Sequence, residues 1–145
     1  MLLSKEVAVC MDLAVCKFKQ FSAQMLKANG VNLTPEQFLL VDLLWNEGPM
    51  TQQQIADAMH KDKNSVTKFI DSLERKNMVE RLRGHIDRRS NLIRLTEKAQ
   101  ELKVHAKEKG ISTLDHILDG ISEEELRQFL ATLNKMTENM VVKKD

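Results

Sequence analysis

The chain has 145 residues and a net charge of +1, a length that suits one domain and a charge that gives no sign of a polyanionic partner. Apolar residues make up 42% and charged residues 30%, with only two prolines, which indicates a helical soluble globule and excludes a disordered tail. No apolar run approaches the ~20 residues that span a membrane, and charged residues interrupt the start MLLSKEVAVCMDLAV, which argues against a signal peptide. We therefore expect a cytoplasmic protein.

Two helices are predicted before residue 50. The first covers residues 4–27, where apolar side chains follow a heptad-like spacing at Val7, Met11, Ala14, Val15, Phe18, Phe21, Met25 and Leu26. The second begins with Thr34 as N-cap and Pro35 in the first turn, where its missing N–H costs nothing, and ends at Gly48-Pro49. Apolar residues cover much of its circumference, so we expect it to be buried: Phe38, Leu39, Val41, Leu43, Leu44 and Trp45.

A helix-turn-helix pattern follows. Thr51 and Gln54 have the spacing of a capping box at the start of a short helix, in which the small Ala56 leaves room for a crossing helix. After a turn of roughly four residues, Asp62 is placed to cap the second helix. The apolar stripe of this second helix must pack on a core: Val66, Phe69, Ile70 and Leu73.

The opposite face of this second helix is polar. It carries Asn64, Lys68, Asp71 and Arg75, flanked by Lys63, Ser65, Thr67 and Ser72. Short hydrogen-bonding side chains mixed with cations suit a helix that lies in a major groove and contacts base edges and phosphates. A solvated helix face is the alternative reading.

A basic hairpin comes next. Asn77 is placed to end the preceding helix in the left-handed conformation, and alternation over residues 78–83 and 91–95 predicts two strands. The tip between them reads GHIDRRS. In it, Asp87 can hold one arginine while another reaches a narrow minor groove. An ordinary basic hairpin is the alternative.

The positive charge is concentrated on these elements. Residues 60–94 contain ten Lys and Arg against five Asp and Glu, a local charge of +5 that leaves −4 for the rest of the chain. Such a concentration is the electrostatic footprint expected of phosphate contact.

The C-terminal third is predicted to form two helices. Thr96 starts a long one to about residue 118, in which Gly110 allows a bend or break. After Asp119-Gly120, Ser122 and Glu125 form another capping box. Together with the N-terminal helix these segments are too apolar for solvated tails, and we infer a homodimer. Its two-fold symmetry predicts that the second helix of each helix-turn-helix, the recognition helix, lies ~34 Å from its copy, on a pseudo-palindromic operator. Packing within one chain is the alternative.

The run from Leu33 to Thr96 resembles the multiple-antibiotic-resistance regulator (MarR) family. The matching residues are Leu33-Thr34-Pro35-Glu36-Gln37, Ile55-Ala56, Ser65-Val66-Thr67, Leu73-Glu74, and Asp87-Arg88-Arg89-Ser90 followed by Ile93, Leu95 and Thr96. The family usually has Gly-Leu-Val where this chain has Asn77-Met78-Val79, and asparagine tolerates the same backbone.

The resemblance implies a mainly α fold with a small β-hairpin wing. The 145 residues form one domain, with a winged helix-turn-helix over 33–96, called here the winged module, and dimerisation helices over 1–30 and 97–145. It also implies a transcriptional regulator of double-stranded DNA, more often a repressor, that a small aromatic effector releases by favouring one spacing of the two recognition helices.

Particular residues are assigned to DNA contact. Asn64, Ser65, Thr67 and Lys68 are predicted to face the major groove. Arg89, supported by Asp87 and with Arg88 beside it, is predicted to enter the minor groove or contact its phosphates. Three further residues at helix N-termini are predicted to contact the DNA backbone: Gln52, Gln53 and Lys63.

Other functions find less support in the sequence. There is no catalytic motif, no phosphate-cradling glycine loop and no metal-ligand spacing among the four histidines, so we predict no enzyme, cofactor or metal. Cys10 and Cys16 are expected to be buried, reduced thiols. Two alternatives stay open: a redox- or metal-responsive regulator of the same fold, and a winged-helix protein-interaction module. One branch of the family senses oxidants through an early cysteine helped by tyrosines, which this chain lacks.

Overall fold

The computed structural model describes residues 2–83 and 91–141, and for Arg83 and residues 107–113 it describes the backbone alone. Its elements are α1 (Leu2–Ala28), α2 (Pro35–Glu47), β1 (Met50–Thr51), α3 (Gln52–Met59), α4 (Lys63–Arg75), β2 (Val79–Arg83), β3 (Asn91–Leu95), α5 (Glu97–Ile117) and α6 (Glu123–Asn139). The chain divides into two compact units, residues 1–109 and 110–145. The predicted class, mainly helical with a small β wing, is confirmed.

Side-chain caps fix where the helices begin. Thr34, Thr51 and Ser122 each accept a hydrogen bond from the backbone N–H three residues later and form complete capping boxes with Gln37, Gln54 and Glu125. Each box satisfies two backbone donors that the first helical turn leaves without partners. All three predicted helix starts are therefore confirmed.

A small antiparallel sheet lies in the first unit, with strand order β1-β3-β2. β2 and β3 form the predicted hairpin, in register from Val79 opposite Leu95 to Arg83 opposite Asn91. β1 pairs Met50 with Ile93 on the other edge of β3. The sequence did not predict β1, because two residues are too few to show an alternating pattern.

The core of the first unit draws on every element of the winged module. Its fully covered side chains come from α2, α3, α4 and the sheet: Leu40, Val41, Ile55, Val66, Ile70, Leu73, Val79 and Ile93. The apolar stripe predicted for α4 is thus confirmed, with Phe69 half-buried at its margin. On α2 the core side is taken by residues 40, 41 and 44, so Leu39 lies 55% exposed and the expectation that it is buried was wrong.

Trp45 joins α2 to the start of α5. Its indole Nε1 donates to the carbonyl of Ala99 at 3.2 Å. Phe38 meets the Trp45 ring edge-on, with centroids 5.6 Å apart, an arrangement that aromatic quadrupoles favour. The start of α5 is therefore held against the winged module by a directional bond as well as by the buried Ala99.

The terminal helices keep their apolar side chains at the surface. None of the 27 residues of α1, all within the described part of the chain, is buried, and Leu13 is 64% exposed. In the second unit, none of the 17 residues of α6 is buried either, and Phe129 is 61% exposed. α5 continues through Gly110, so the predicted bend or break there is not seen as an interruption of the helix.

Candidate DNA-binding surface

The turn between α3 and α4 sets the geometry of the helix-turn-helix. His60 adopts the left-handed conformation (φ 51°) at the end of α3 and its N–H bonds back to the carbonyls of that helix. Asp62 then caps α4, as predicted, and accepts from the Ser65 N–H at 3.2 Å. Asn77 takes the predicted left-handed conformation (φ 59°) after α4.

The Asp62 carboxylate is stabilised in its ionised form. The Ser65 hydroxyl donates to it at 2.5 Å and lowers its pKa most, with the Ser65 backbone N–H next. This negative charge also lies beside the positive, N-terminal end of the α4 dipole, which stabilises it. The exposed start of α4 is therefore ordered by local bonds, without burial.

α4 presents Asn64 and Lys68 to solvent. They lie four residues apart, on one face, opposite the buried Val66, Ile70 and Leu73. Among the described residues neither side chain has a hydrogen-bond or ion-pair partner. An amide and an ammonium group side by side can donate to base edges and phosphates together.

Ser65 and Thr67 are more engaged than the sequence indicated. The Ser65 hydroxyl donates to Asp62, and the Thr67 hydroxyl donates to the Lys63 carbonyl at 2.9 Å. Thr67 also accepts from the Gln52 amide. Both residues are half-buried and use their hydroxyl proton inside the module, so what they can offer DNA is an acceptor oxygen.

The two glutamines that open α3 are placed differently. Gln52 is half-buried and links α3 to α4 through Thr67. Gln53 is exposed and donates to Asp57 at 3.0 Å, one turn along its own helix. Of the three predicted backbone contacts, Lys63 alone has neither a side-chain hydrogen bond nor an ion pair within the described part of the chain.

Arg81 on β2 pairs with two carboxylates of α4. Its guanidinium contacts Asp71 at 2.5 Å and Glu74 at 2.9 Å, and its side chain is 23% exposed. Glu80 pairs with Arg94 across the β2–β3 ladder. The sequence placed Asp71 on the open polar face, and no local signal revealed this partner, since Arg81 lies on a different element.

These pairs leave a cationic surface. Three of the five carboxylates between residues 60 and 94 are matched by arginines of the sheet. Four exposed cations in the same stretch have no carboxylate within 4.0 Å among the described residues: Lys61, Lys63, Lys68 and Arg75. The concentration of positive charge inferred from the sequence is therefore presented along α4 and the turn before it.

The predicted wing residues Asp87, Arg88 and Arg89 lie outside the described residues. The strands that lead to them are in place as β2 and β3.

Three further features of the described ranges concern metal ligands, membrane spans and the cysteines. They contain no group of three His, Cys, Asp or Glu side chains that could hold a metal ion. Within those same residues, no helix combines the length and the apolar character needed to cross a bilayer. Cys10 and Cys16 are both exposed, so the expectation of buried thiols was wrong, because α1 buries none of its residues.

Comparison with known proteins gives a consistent result. Residues 33–90 match the sequence model of the MarR family. The S. aureus MepR–DNA complex is 26% identical with a TM-score of 0.83, covering 92% of this chain and 97% of that one. Overoxidized AbfR bound to DNA is 24% identical with a TM-score of 0.76, covering 96% and 95%. The organohalide-sensing regulator RdhR-CbdbA1625 in its 2,4-dichlorophenol-bound form is 20% identical with a TM-score of 0.87, covering 97% and 82%.

The family match spans the helix-turn-helix and β2 and ends just before β3, and the fold likeness covers 92% of the chain. The cationic face of α4 lies within the matched residues. Residues 33–90 therefore match a MarR-family domain, and over 92% of the chain the fold is similar to that of MepR, which has been solved bound to DNA.

Proposed function

We propose that the protein is a homodimeric repressor that binds a pseudo-palindromic operator through α4 and the wing, and that a small aromatic effector releases it. One observation carries this proposal: α4 buries one side in the core and leaves Asn64 and Lys68 exposed and without partners among the described residues. In this proposal α4 is the recognition helix. Repression follows if the operator overlaps a promoter and bound protein excludes polymerase.

The residue roles follow from how each side chain is occupied. Asn64 and Lys68 make the principal major-groove and phosphate contacts, with Lys63 at the helix N-terminus on the backbone. Ser65 and Thr67 accept hydrogen bonds there, and Gln52 and Gln53 contribute to the backbone side. Asp87, Arg88 and Arg89 complete the interface at the minor groove, on the strength of the sequence pattern.

The exposed terminal helices support the homodimer. α1 and α6 carry large apolar side chains at the surface, among them Leu13, Phe18, Phe129 and Leu130. Apolar surface of this kind marks an interface in a globular protein. A second copy offers the same helices, and two-fold symmetry then presents two recognition helices to successive turns of DNA.

The effector is supported by likeness alone. RdhR-CbdbA1625, an organohalide-sensing regulator with a similar fold, has been solved with 2,4-dichlorophenol bound. An effector shifts DNA affinity only by its differential affinity for the two spacings of the recognition helices.

Salt-dependent DNA binding tests the proposal. Wild-type protein is first used to select its binding sequence from random DNA. Lys68→Ala should weaken binding to selected and unrelated DNA alike and lower the slope of log K against log salt by about one ion. Asn64→Ala should weaken binding to selected DNA alone if its amide reads a base, by about 1–3 kcal/mol. Both are measured by fluorescence anisotropy.

Lys135→Ala is the matched control, because Lys135 is an exposed lysine on α6. It should change neither affinity nor slope. If Lys68→Ala and Lys135→Ala behave alike, α4 is not the DNA-contacting element. Arg89→Ala extends the test to the wing and should also lower the slope by about one ion; an unchanged affinity and slope would refute the wing assignment.

An oxidant is the second candidate input. Cys10 and Cys16 are exposed thiols on α1, and a protein of the same fold, AbfR, has been solved in an overoxidized form on DNA. Peroxide treatment should then alter affinity for the selected DNA in wild type but not in the Cys10→Ser, Cys16→Ser double variant. Equal affinity before and after peroxide in the wild type removes this candidate.

A further inference from the structure

Gln37, in the first turn of α2, is the most buried polar side chain in the described part of the chain, at 6% exposure. Its Oε1 accepts from the Thr34 backbone N–H at 3.0 Å and so completes the cap of α2. The same amide makes two further bonds that capping does not require. Oε1 accepts from the Lys76 ammonium at 2.8 Å, and Nε2 donates to the Ser72 hydroxyl at 2.7 Å.

Both extra partners belong to the far end of α4. Ser72 lies in its last turns and Lys76 is the C-cap residue, four positions later and hence on the same face. The Lys76 carbonyl in turn accepts from the Lys98 ammonium of α5 at 3.1 Å. One amide of α2 thus holds two successive points of α4, and this end of α4 is also bonded to α5.

The hydrogen bonds to Gln37 restrict the rotation of α4 about its axis, which apolar packing alone does not fix. The buried stripe of α4 keeps the helix on the core, but apolar contacts are non-directional and tolerate small rotations of the helix about its axis. Hydrogen bonds restrict both distance and angle. Because a buried amide is costly without its partners, the two bonds from Gln37 to Ser72 and Lys76 select one rotation of α4.

We propose that Gln37 is a positioning residue for DNA binding, which sets the orientation of the recognition helix through Ser72 and Lys76. The inference rests on the proposed function, in which Asn64 and Lys68 of that helix contact DNA. Gln37 itself is buried and contacts α4 at Ser72 and Lys76, so it acts on DNA binding through that helix. Loss of the Gln37 amide should therefore weaken the DNA contact made by Lys68, although the Lys68 side chain itself is unchanged.

Three variants separate positioning from capping. Ser72→Ala removes the hydroxyl that accepts from Gln37 Nε2, keeps the capping box of α2, and introduces a better helix former. Gln37→Met removes the whole amide at similar size. Gln37→Glu is the rescue variant, because its carboxylate can accept from the Thr34 N–H, Lys76 and the Ser72 hydroxyl together. Affinity for DNA selected by the wild type, its salt slope and the thermal midpoint are measured for each.

Positioning predicts that Ser72→Ala and Gln37→Met each weaken binding about fivefold, the typical net worth of one hydrogen bond, and that the double variant is no weaker than Gln37→Met. Gln37→Glu should bind like wild type. In the Gln37→Met background, Lys68→Ala should lower the salt slope by less than it does in wild type. If Gln37→Met does not fold, Ser72→Ala decides alone.

Two results overturn the inference. A lower thermal midpoint with unchanged affinity and slope in Gln37→Met and Ser72→Ala would make Gln37 a purely structural residue. If Lys68→Ala loses DNA affinity in the same experiment, the proposed function still stands. If Lys68→Ala binds like the Lys135→Ala control, the role of α4 in DNA contact fails first, and the positioning role of Gln37 fails with it.

Discussion

In the winged module, large apolar side chains from three helices and a sheet meet in one closed core, whereas α1 and α6 leave comparable side chains at the surface. Composition does not separate the two regions, since both carry Leu, Val and Phe at helical spacing. What differs is whether the same chain supplies a partner for the apolar face. The module can be stable on its own contacts, and the terminal helices gain stability when something covers them.

The largest expected effect comes from substituting two adjacent leucines of α2, one buried in the core and one exposed. Leu40→Ala should lower the free energy of unfolding by about 2–5 kcal/mol, because Leu40 is fully covered and its loss leaves a cavity. Leu39→Ala, at a position 55% exposed, should cost well under about 1 kcal/mol. Urea unfolding of both variants measures the difference. Equal losses would mean that the core of the module is not closed.

A pair of substitutions on α6 tests whether its exposed apolar side chains form the proposed dimer interface. Phe129→Asp should weaken the proposed homodimer by about 2 kcal/mol, or roughly thirtyfold, because in that proposal a charged group replaces an apolar one at the interface. Gln128→Asp adds the same charge at the neighbouring exposed position and serves as control. Sedimentation equilibrium measures both. A protein that is monomeric before substitution, or a Phe129→Asp variant that dimerises like wild type, would contradict the homodimer.

The smallest effect concerns helix caps, which occur in both regions. The pKa of Asp62 is lowered from its ordinary value of 3.8, first by the Ser65 hydroxyl, and the pKa of Glu125 is lowered from 4.5, first by the Ser122 backbone N–H. A lowered folded pKa adds stability that is complete above the unfolded value and is lost as pH falls through the folded one. Both contributions should therefore begin to fall at about pH 4 and vanish only once the pH is below the lowered folded pKa of each carboxyl.

Asp62→Asn and Glu125→Gln isolate these charges, since asparagine is still a good N-cap. The difference in thermal midpoint between wild type and each variant should be constant near neutral pH and shrink towards zero on acidification. A difference that grows on acidification would reverse the sign and refute the assignment. Because both carboxylates are exposed, the two regions should respond alike, in contrast to their response to apolar substitutions.

Local interactions were predictable from the sequence. The caps at Thr34, Thr51, Asp62 and Ser122 each involve the residue three positions later, so the spacing alone reveals them. The limits of β3 and the left-handed Asn77 were predicted for the same reason.

Contacts between distant segments were not predictable. The strand β1 exists because Met50 meets Ile93, and the hydroxyl of Thr67 is engaged because Gln52 of another helix reaches it. Nothing beside Gln37 in the chain marks Ser72 and Lys76 as its partners. The exposed cysteines escaped prediction because burial on α1 depends on what covers that helix. The family resemblance suggested the proposed function, whereas the hydrogen-bonding state of each side chain assigned to DNA contact required the fold.

Trp45 has a consequence for how the protein can be observed. It is the chain's one tryptophan, and the chain has no tyrosine, so fluorescence excited at the indole band arises from a single side chain. That side chain sits at the joint between α2 and α5, bonded to the Ala99 carbonyl and edge-on to Phe38. Its emission wavelength therefore reports on this joint alone. Any small molecule that loosens α5 from the winged module should register as a red shift, before its identity or its effect on DNA is known.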